Sequence, residues 1–278
     1  MSSTDQPVAN PNKALWEKGD FTRIAAAMRD SGAALVDSLG VHEGMQVLDL
    51  GSGDGTTAVP AAQTGADVLG VDIARNLVAA GNARAEALGL DNLRFQEGDA
   101  TDLGELADDT FDLVVSIFGA MFAPRPDDVA KEMVRVTKPG GRIVMGNWIP
   151  GDPTYVAQLL RISMAYSPPP PEGFVSPMLW GVEDTVVERF AGAGIPADRV
   201  SCERDIYAFT FPGTPSQYLA EFRQYYGPTM NAYAAAAADG REEELHAELE
   251  QLVHDQNSSG SDQTTRVGAA FLRVTVTV

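Results

Sequence analysis

The chain has 278 residues of which 44% are hydrophobic, enough for one large or two small domains around a substantial core. Its 39 acidic and 20 basic side chains leave a formal net charge of −19, which excludes nucleic acid and anionic membranes as expected partners, because binding to them rests on Lys and Arg. Cys202 is the only cysteine, so no intrachain disulfide can form. No run approaches about eighteen uninterrupted apolar residues and the first residues lack a basic segment followed by an apolar run, so no membrane span and a cytoplasmic location are expected.

Residues 1 to 10 are polar, contain Pro7 and are expected to be disordered. From Asn12 the apolar spacing changes. Ala14, Leu15, Phe21, Ile24, Ala25 and Met28 line one side of a broken helix, and Ala33, Leu35, Val36 and Leu39 continue it to Gly40. Residues 1–40 are thus read as an N-terminal helical arm ahead of a domain spanning 41–278.

Val47-Leu48-Asp49-Leu50-Gly51-Ser52-Gly53-Asp54-Gly55 reads as the end of a buried strand followed by three glycines at every second position. Such a turn carries no side chains at its tightest points, so a nucleotide-like ligand can approach its backbone. Thr56 to Gln63 continues as a helix whose first amides point back at that ligand. A P-loop needs Lys and then Ser or Thr after its last glycine, and a dinucleotide fingerprint needs Gly or Ala where Thr56 stands; the chain has neither. An acid entering a G-x-G-x-G loop resembles motif I of the class I S-adenosylmethionine (SAM)-dependent methyltransferases. That resemblance implies a ligand with a sulfonium and an amino-acid tail, with Asp49, Gly51, Ser52, Gly53 and Gly55 around it. It also implies an arm that closes over the cofactor, for which Trp16 and Phe21 are candidates.

Asp67 to Ile73 reads as a second strand ending in an acid, and Asp72 is placed to accept both hydroxyls of a ribose, with Ile73 beside it. Arg75 to Leu88 follows as a helix, and Asn92 to Ala100 as a third strand with its loop. In the family an acid at the position of Asp99 meets the adenine amino group and the backbone at Ala100 lies beside the ring. Phe111 to Phe118 is a nearly continuous apolar run of the kind buried on both faces of a parallel sheet. Ligands of open α/β sheets bind outside the carboxyl ends of the strands, so Ser116 and Ile117 are cofactor candidates and Phe118 and Met121 substrate candidates. A helix from Val129 to Val136, the turn Lys138-Pro139-Gly140-Gly141 and a strand from Arg142 to Trp148 follow. The K-P-G-G turn, taken with Asp49, Asp72 and Asp99, is similar to the ubiquinone/menaquinone-type and related small-molecule methyltransferases, actinobacterial members in particular. Trp16 to Phe21, Phe118 to Pro124, Leu179-Trp180-Gly181 and Tyr225 to Pro228 extend the likeness.

The resemblance implies a seven-stranded doubly wound sheet of order 3-2-1-4-5-7-6 with the last strand antiparallel. Val200 to Phe211 and Arg266 to Val278 supply its sixth and seventh strands. Two insertions, at about 151–181 and 213–262, read as helical lids. The first holds a helix from Thr154 to Tyr166 and the stiff run Pro168 to Pro171, and the second is too long for an idle loop. The expected reaction is methyl transfer from SAM to an oxygen or carbon of a small, partly apolar molecule, since the fourth strand ends in Ser116-Ile117-Phe118-Gly119 and lacks the N/D-P-P-Y/F motif of many amino-group methyltransferases. Trp148, Trp180 and Tyr226 join the substrate candidates, with Arg223 for an acidic group. Tyr225, Tyr226, Glu221 and His246 are candidates to take a proton. His42, His246 and His254 lack ligand spacing, so no metal is expected. The rival readings are an NAD(P)-dependent oxidoreductase and a non-catalytic protein that binds SAM or a small molecule; a homodimer is compatible with the chain.

Overall fold

The computed structural model describes residues 12–278; the N-terminal segment read as disordered lies outside the described residues. Strands β1 (Gln46–Leu50), β2 (Asp67–Asp72), β3 (Leu93–Glu97), β4 (Phe111–Ile117), β5 (Thr137–Trp148), β6 (Val200–Phe211) and β7 (Thr265–Thr277) form one sheet in the order β3-β2-β1-β4-β5-β7-β6. β7 runs antiparallel between β5 and β6, and the remaining pairs are parallel. This is the Rossmann-like order expected from the resemblance.

Alternation along the central strands gives each face its own core. Val47, Val68, Leu113, Val115 and Val144 face one side; Leu48, Leu69, Val114, Ile143 and Met145 face the other. The first side is covered by α3 (Arg29–Leu39), α4 (Ala58–Gln63) and α5 (Arg75–Ala87), and α6 (Pro126–Val136) and α8 (Glu183–Gly192) contribute to the second. α6 starts three residues before the expected Val129. Pro126 at its first position needs no N–H partner, and Asp127 and Asp128 sit where the helix dipole favours negative charge. β5 likewise starts early, at Thr137, with the K-P-G-G turn bulging out of its pairing with β4.

Ahead of the sheet lie α1 (Asn12–Trp16), α2 (Phe21–Ala25) and a 3₁₀ turn, Ala26–Met28, before α3. α3 packs against α4 and β6, and among the described residues before it Asn12, Trp16, Phe21 and Met28 line a cavity at the carboxyl ends of the strands. The first turn of α3 also caps the sheet edge at Ala208, where the Ser31 hydroxyl donates to the carbonyl at 2.8 Å and accepts from the amide at 3.1 Å. The insertions build a helical cap from α7 (Tyr155–Ala165), α9 (Pro215–Tyr225), α10 (Gly227–Ala238) and α11 (Glu242–Gln256). Leu245, Leu249 and Val253, one helical turn apart, form the buried stripe of the otherwise charged α11. Among the described residues no helix is long and apolar enough to cross a membrane.

Candidate functional site

A cavity of about 950 Å³, counting its open mouth, lies at the carboxyl ends of β1, β2 and β4 beneath the arm. Its floor is the glycine loop. Gly51 and Gly53 take the left-handed region at φ +72° and +56°, which glycine enters without steric cost. A Cβ on Gly51 would stand 2.6 Å from the Cα of Gly119, and one on Gly119 would stand 2.5 Å from the Gly51 carbonyl oxygen. The two backbones touch because the chain leaves β4 sharply. Phe118 sits at φ +62°, a strained value for a side-chain-bearing residue, held by its amide bond to Gly146 O at 2.9 Å and by a face-to-face stack on Trp148 at 3.5 Å.

Three buried aspartates surround the loop. Asp72 accepts from the Gly53 amide at 2.8 Å through Oδ2 and from the Ala74 amide at 2.9 Å through Oδ1, which ties the loop to the end of β2. Arg29 donates to Asp54 at 2.6 Å, joining the start of α3 to the loop, and Arg84 donates to the carbonyls of Asp54 and Gly55. Asp49 is 2% exposed, and its Oδ2 has no hydrogen-bond partner among the described residues; the same holds for Ser52 Oγ and Asp54 Oδ1. Burial pushes the Asp49 carboxyl up to about 7, with the Ala58 amide opposing and the charge of Asp72 adding. Burial likewise raises Asp54 and Asp72. At the far end, Asp99 Oδ1 accepts from the Thr101 amide and hydroxyl at 2.9 and 2.8 Å. A close-approach backbone beside a buried carboxylate with an unused oxygen suits a positively charged, nucleoside-sized ligand.

A family model described as a methyltransferase domain matches residues 41–159, the segment from β1 into α7. Over nearly its whole length the chain is similar to the uncharacterized protein Rv1403c of Mycobacterium tuberculosis, at 34% identity over 265 residues and 93% of each chain. The chain belongs to the class I SAM-dependent methyltransferases. The methyltransferase is also similar to the demethylmenaquinone methyltransferase of Paenarthrobacter aurescens, at 38% identity over 114 residues, 41% of this chain and 43% of that protein. Its fold is similar to that of the YcgJ protein of Bacillus subtilis, with a TM-score of 0.57 at 18% identity over 89% of this chain and 98% of the other. SAM is the cofactor of the family, and the orphaned acceptors around the glycine loop fit it.

Of the residues singled out from the sequence, Phe21, Asp49, Gly51, Ser52 and Gly53 line the cavity, as do Asp72, Ile73, Asp99, Ala100, Ile117 and Phe118. Gly55 does not; at φ +89° it leaves room for the Phe95 ring, 2.8 Å from where its Cβ would stand. Ser116 is a buried staple, donating to Leu50 O at 2.6 Å and accepting from the Ala120 amide at 2.9 Å. Met121 and Trp148 belong to the core beneath Phe118. Trp180 is wholly buried because the 3₁₀ turn Pro177–Gly181 is pressed onto β5, with Phe190 beside its ring and the Arg189 guanidinium 4.4 Å above it.

The proton-accepting and cap candidates also lie off the cavity wall. Tyr226 stands behind Trp16 and Phe21, at 6.0 and 6.1 Å between ring centres. Tyr225 lies under Arg23, and Glu221 takes both ends of the Arg23 guanidinium at 3.0 and 3.1 Å. His246 faces Tyr233 and Glu250 within the cap, and Arg223 is paired with Glu242. The sequence reading missed Met28, Phe122, Ala123 and Tyr207, all of which line the cavity. Phe122 packs edge-on against Trp16 at 5.1 Å; its stretch, Phe118 to Pro124, stood out in the sequence only as part of the family likeness.

The raised Asp49 carboxyl carries a pH prediction. A cation favours the ionised form, so SAM affinity is expected to climb with pH up to about 7 and then level, falling by up to about tenfold per unit below it. Without ligand the sign reverses, because a folded-state value above the ordinary 3.8 means that stability is lost as pH rises from there towards about 7. Calorimetric titrations at about pH 5.5 and about pH 8.5 test the first effect, which Asp49→Asn should flatten. A flat wild-type profile would remove Asp49 from the ionic part of the site.

Proposed function

We propose that the methyltransferase moves the methyl group of SAM to an oxygen or carbon of a small, uncharged, partly apolar acceptor that enters beside Trp16, Phe21 and Phe122, releasing S-adenosylhomocysteine. One observation carries the acceptor class. Among the described residues the charged side chains lining the cavity are Asp49, Asp54, Asp72 and Asp99, with no Lys, Arg or His. Residues 1–11 contain none of these three either. An acceptor bearing a carboxylate or phosphate would find no cationic side chain there to offset its desolvation.

In this reading Asp72 takes the ribose hydroxyls through the lone pairs left beside its bonds to Gly53 and Ala74. Asp99 and Ala100 border the adenine, and Asp49 with the glycine loop takes the amino-acid tail. When bound, SAM supplies an electrophilic methyl group on a positively charged sulfur. The chain's own contribution is to hold the acceptor's nucleophilic atom in line with that methyl and to keep water out, positioning that supplies on the order of several kcal/mol. With no His or Lys on the wall, the best acceptors are those whose own hydroxyl or carbon is acidic.

The arm and the cap form the roof together. Support comes from the bridge between Gly19 and Tyr226, the Asp20 amide bonded to Tyr225 O at 3.2 Å, the Arg23–Glu221 pair and the contacts of Trp16 and Phe21 with Tyr226.

The test is transfer of labelled methyl from SAM into a fractionated extract of the source cells and into matched acceptors, catechol against protocatechuate. Label in neutral fractions and in catechol ahead of its carboxylated partner is the expected result. Preferential labelling of the acids would overturn the acceptor class. Tight SAM binding with no transfer to any fraction would favour a non-catalytic binding protein.

A further inference from the structure

Part of the cavity wall comes from β6, outside the segment that the family model matches. Tyr207 lines it beside Met28, Asp49 and Phe118 and is 2% exposed. Its ring stands edge-on to Phe118 at 5.0 Å and packs against Phe209 and Phe271 at 6.0 and 6.1 Å, so its direction is fixed by packing. Its hydroxyl donates to the Met28 carbonyl oxygen at 3.2 Å. A hydroxyl has one proton and two lone pairs. With the proton committed to Met28, only acceptor capacity is left for a ligand.

Asp49 lies close enough that its charge adds to burial in holding the phenol well above its ordinary range, so the group stays a neutral hydroxyl. The Tyr207 oxygen is thus an acceptor on the wall beside Asp49; Asp49, in the reading above, takes the tail common to SAM and S-adenosylhomocysteine, which leaves the Tyr207 oxygen for the sulfonium that adjoins that tail. An oxygen lone pair in a water-poor site stabilises positive charge and does little for a neutral group. SAM carries a sulfonium, and the thioether left after transfer does not.

We infer that Tyr207 is a specificity-determining residue whose phenolic oxygen makes the site discriminate the positively charged methyl donor from neutral S-adenosylhomocysteine. The inference rests on the donor site proposed above. It gives product release a direction, because losing the charge loses the contact. A residue that only anchored the arm through Met28 would hold the roof over either ligand alike, so discrimination separates the two roles.

Calorimetric affinities for SAM, S-adenosylhomocysteine and sinefungin, an analogue with an ammonium where SAM has its methylsulfonium, test this on the wild type, Tyr207→Phe and Ser31→Ala. The Phe variant keeps the ring and its packing. It is expected to weaken SAM and sinefungin by about three- to tenfold and S-adenosylhomocysteine by less than about twofold. Ser31→Ala loosens the same stretch of α3 from Ala208 without touching the cavity, and should leave the ratio of affinities as it is. Equal weakening of all three ligands by Tyr207→Phe, or unchanged affinity for SAM, would overturn the inference. A wild type that binds none of the three would overturn the donor-site reading itself.

Discussion

Replacing Asp72 by alanine is expected to weaken SAM binding by about a hundredfold, the largest loss from any single side chain here. Two hydrogen bonds to a charged acceptor contribute about 1.5 kcal/mol each, and about 3 kcal/mol is roughly a hundredfold in affinity. The same carboxylate holds the Gly53 and Ala74 amides, so its loss also releases the loop that floors the cavity. Asp72→Asn keeps one acceptor oxygen but presents an amide to a backbone amide on the other side, and should fall between wild type and alanine. Calorimetry on the three proteins gives the order; an alanine variant within about threefold of wild type would take Asp72 out of the site.

Gly119→Ala comes second. Its new Cβ would meet the Gly51 carbonyl oxygen at 2.5 Å, and that neighbour is backbone, which cannot swing aside as a side-chain tip can. Either the turn after Phe118 or the glycine loop has to move, at a cost of about 1–3 kcal/mol in stability. Because Gly51 belongs to the loop proposed to hold SAM, affinity for it should drop by roughly tenfold or more together with a Tm lower by several degrees. Gly89→Ala is the control. Gly89 is also left-handed, at φ +65°, but has nothing within 4 Å of its would-be Cβ, so it should cost stability of about 1 kcal/mol and leave SAM affinity untouched. If both variants bind SAM like wild type, the contact between the two loops has no part in shaping the site.

The difference between these two glycines bears on what a sequence can reveal. Gly51, Asp72 and Asp99 were legible because each sits at the end of its own strand, where local pattern and topology together place it at the carboxyl edge of the sheet. Gly119 looked like any loop glycine, since its need for a missing side chain arises from contact with a backbone 68 positions away. Tyr207 was hidden for the same reason. Its partner Met28 is 179 residues distant, and within β6 both Ile206 and Tyr207 are apolar enough to face either way; the packing turns Tyr207 inward and leaves Ile206 49% exposed. Met121, Trp148 and Trp180 show the converse. Large apolar residues near a strand end can face the cavity or the core, and composition alone does not choose between them. On the cap helices no spacing tied a face to the cavity, so Glu221, Arg223 and His246 were candidates by residue type alone, and they do not border it.

The hydroxyl of Ser31 occupies both backbone groups of Ala208 on the outermost strand of the sheet. An open strand edge is a template on which a second chain can add a strand and begin to aggregate. Here the neighbouring positions carry Glu203, Arg204 and Asp205, and at Ala208 itself a foreign strand could pair only by displacing Ser31 and the start of α3. The lifted turn would carry Arg29 off the glycine loop and Met28 off Tyr207. One turn of helix therefore guards both the strand edge at Ala208 and the ligand pocket, and a strand added there would disturb the two together.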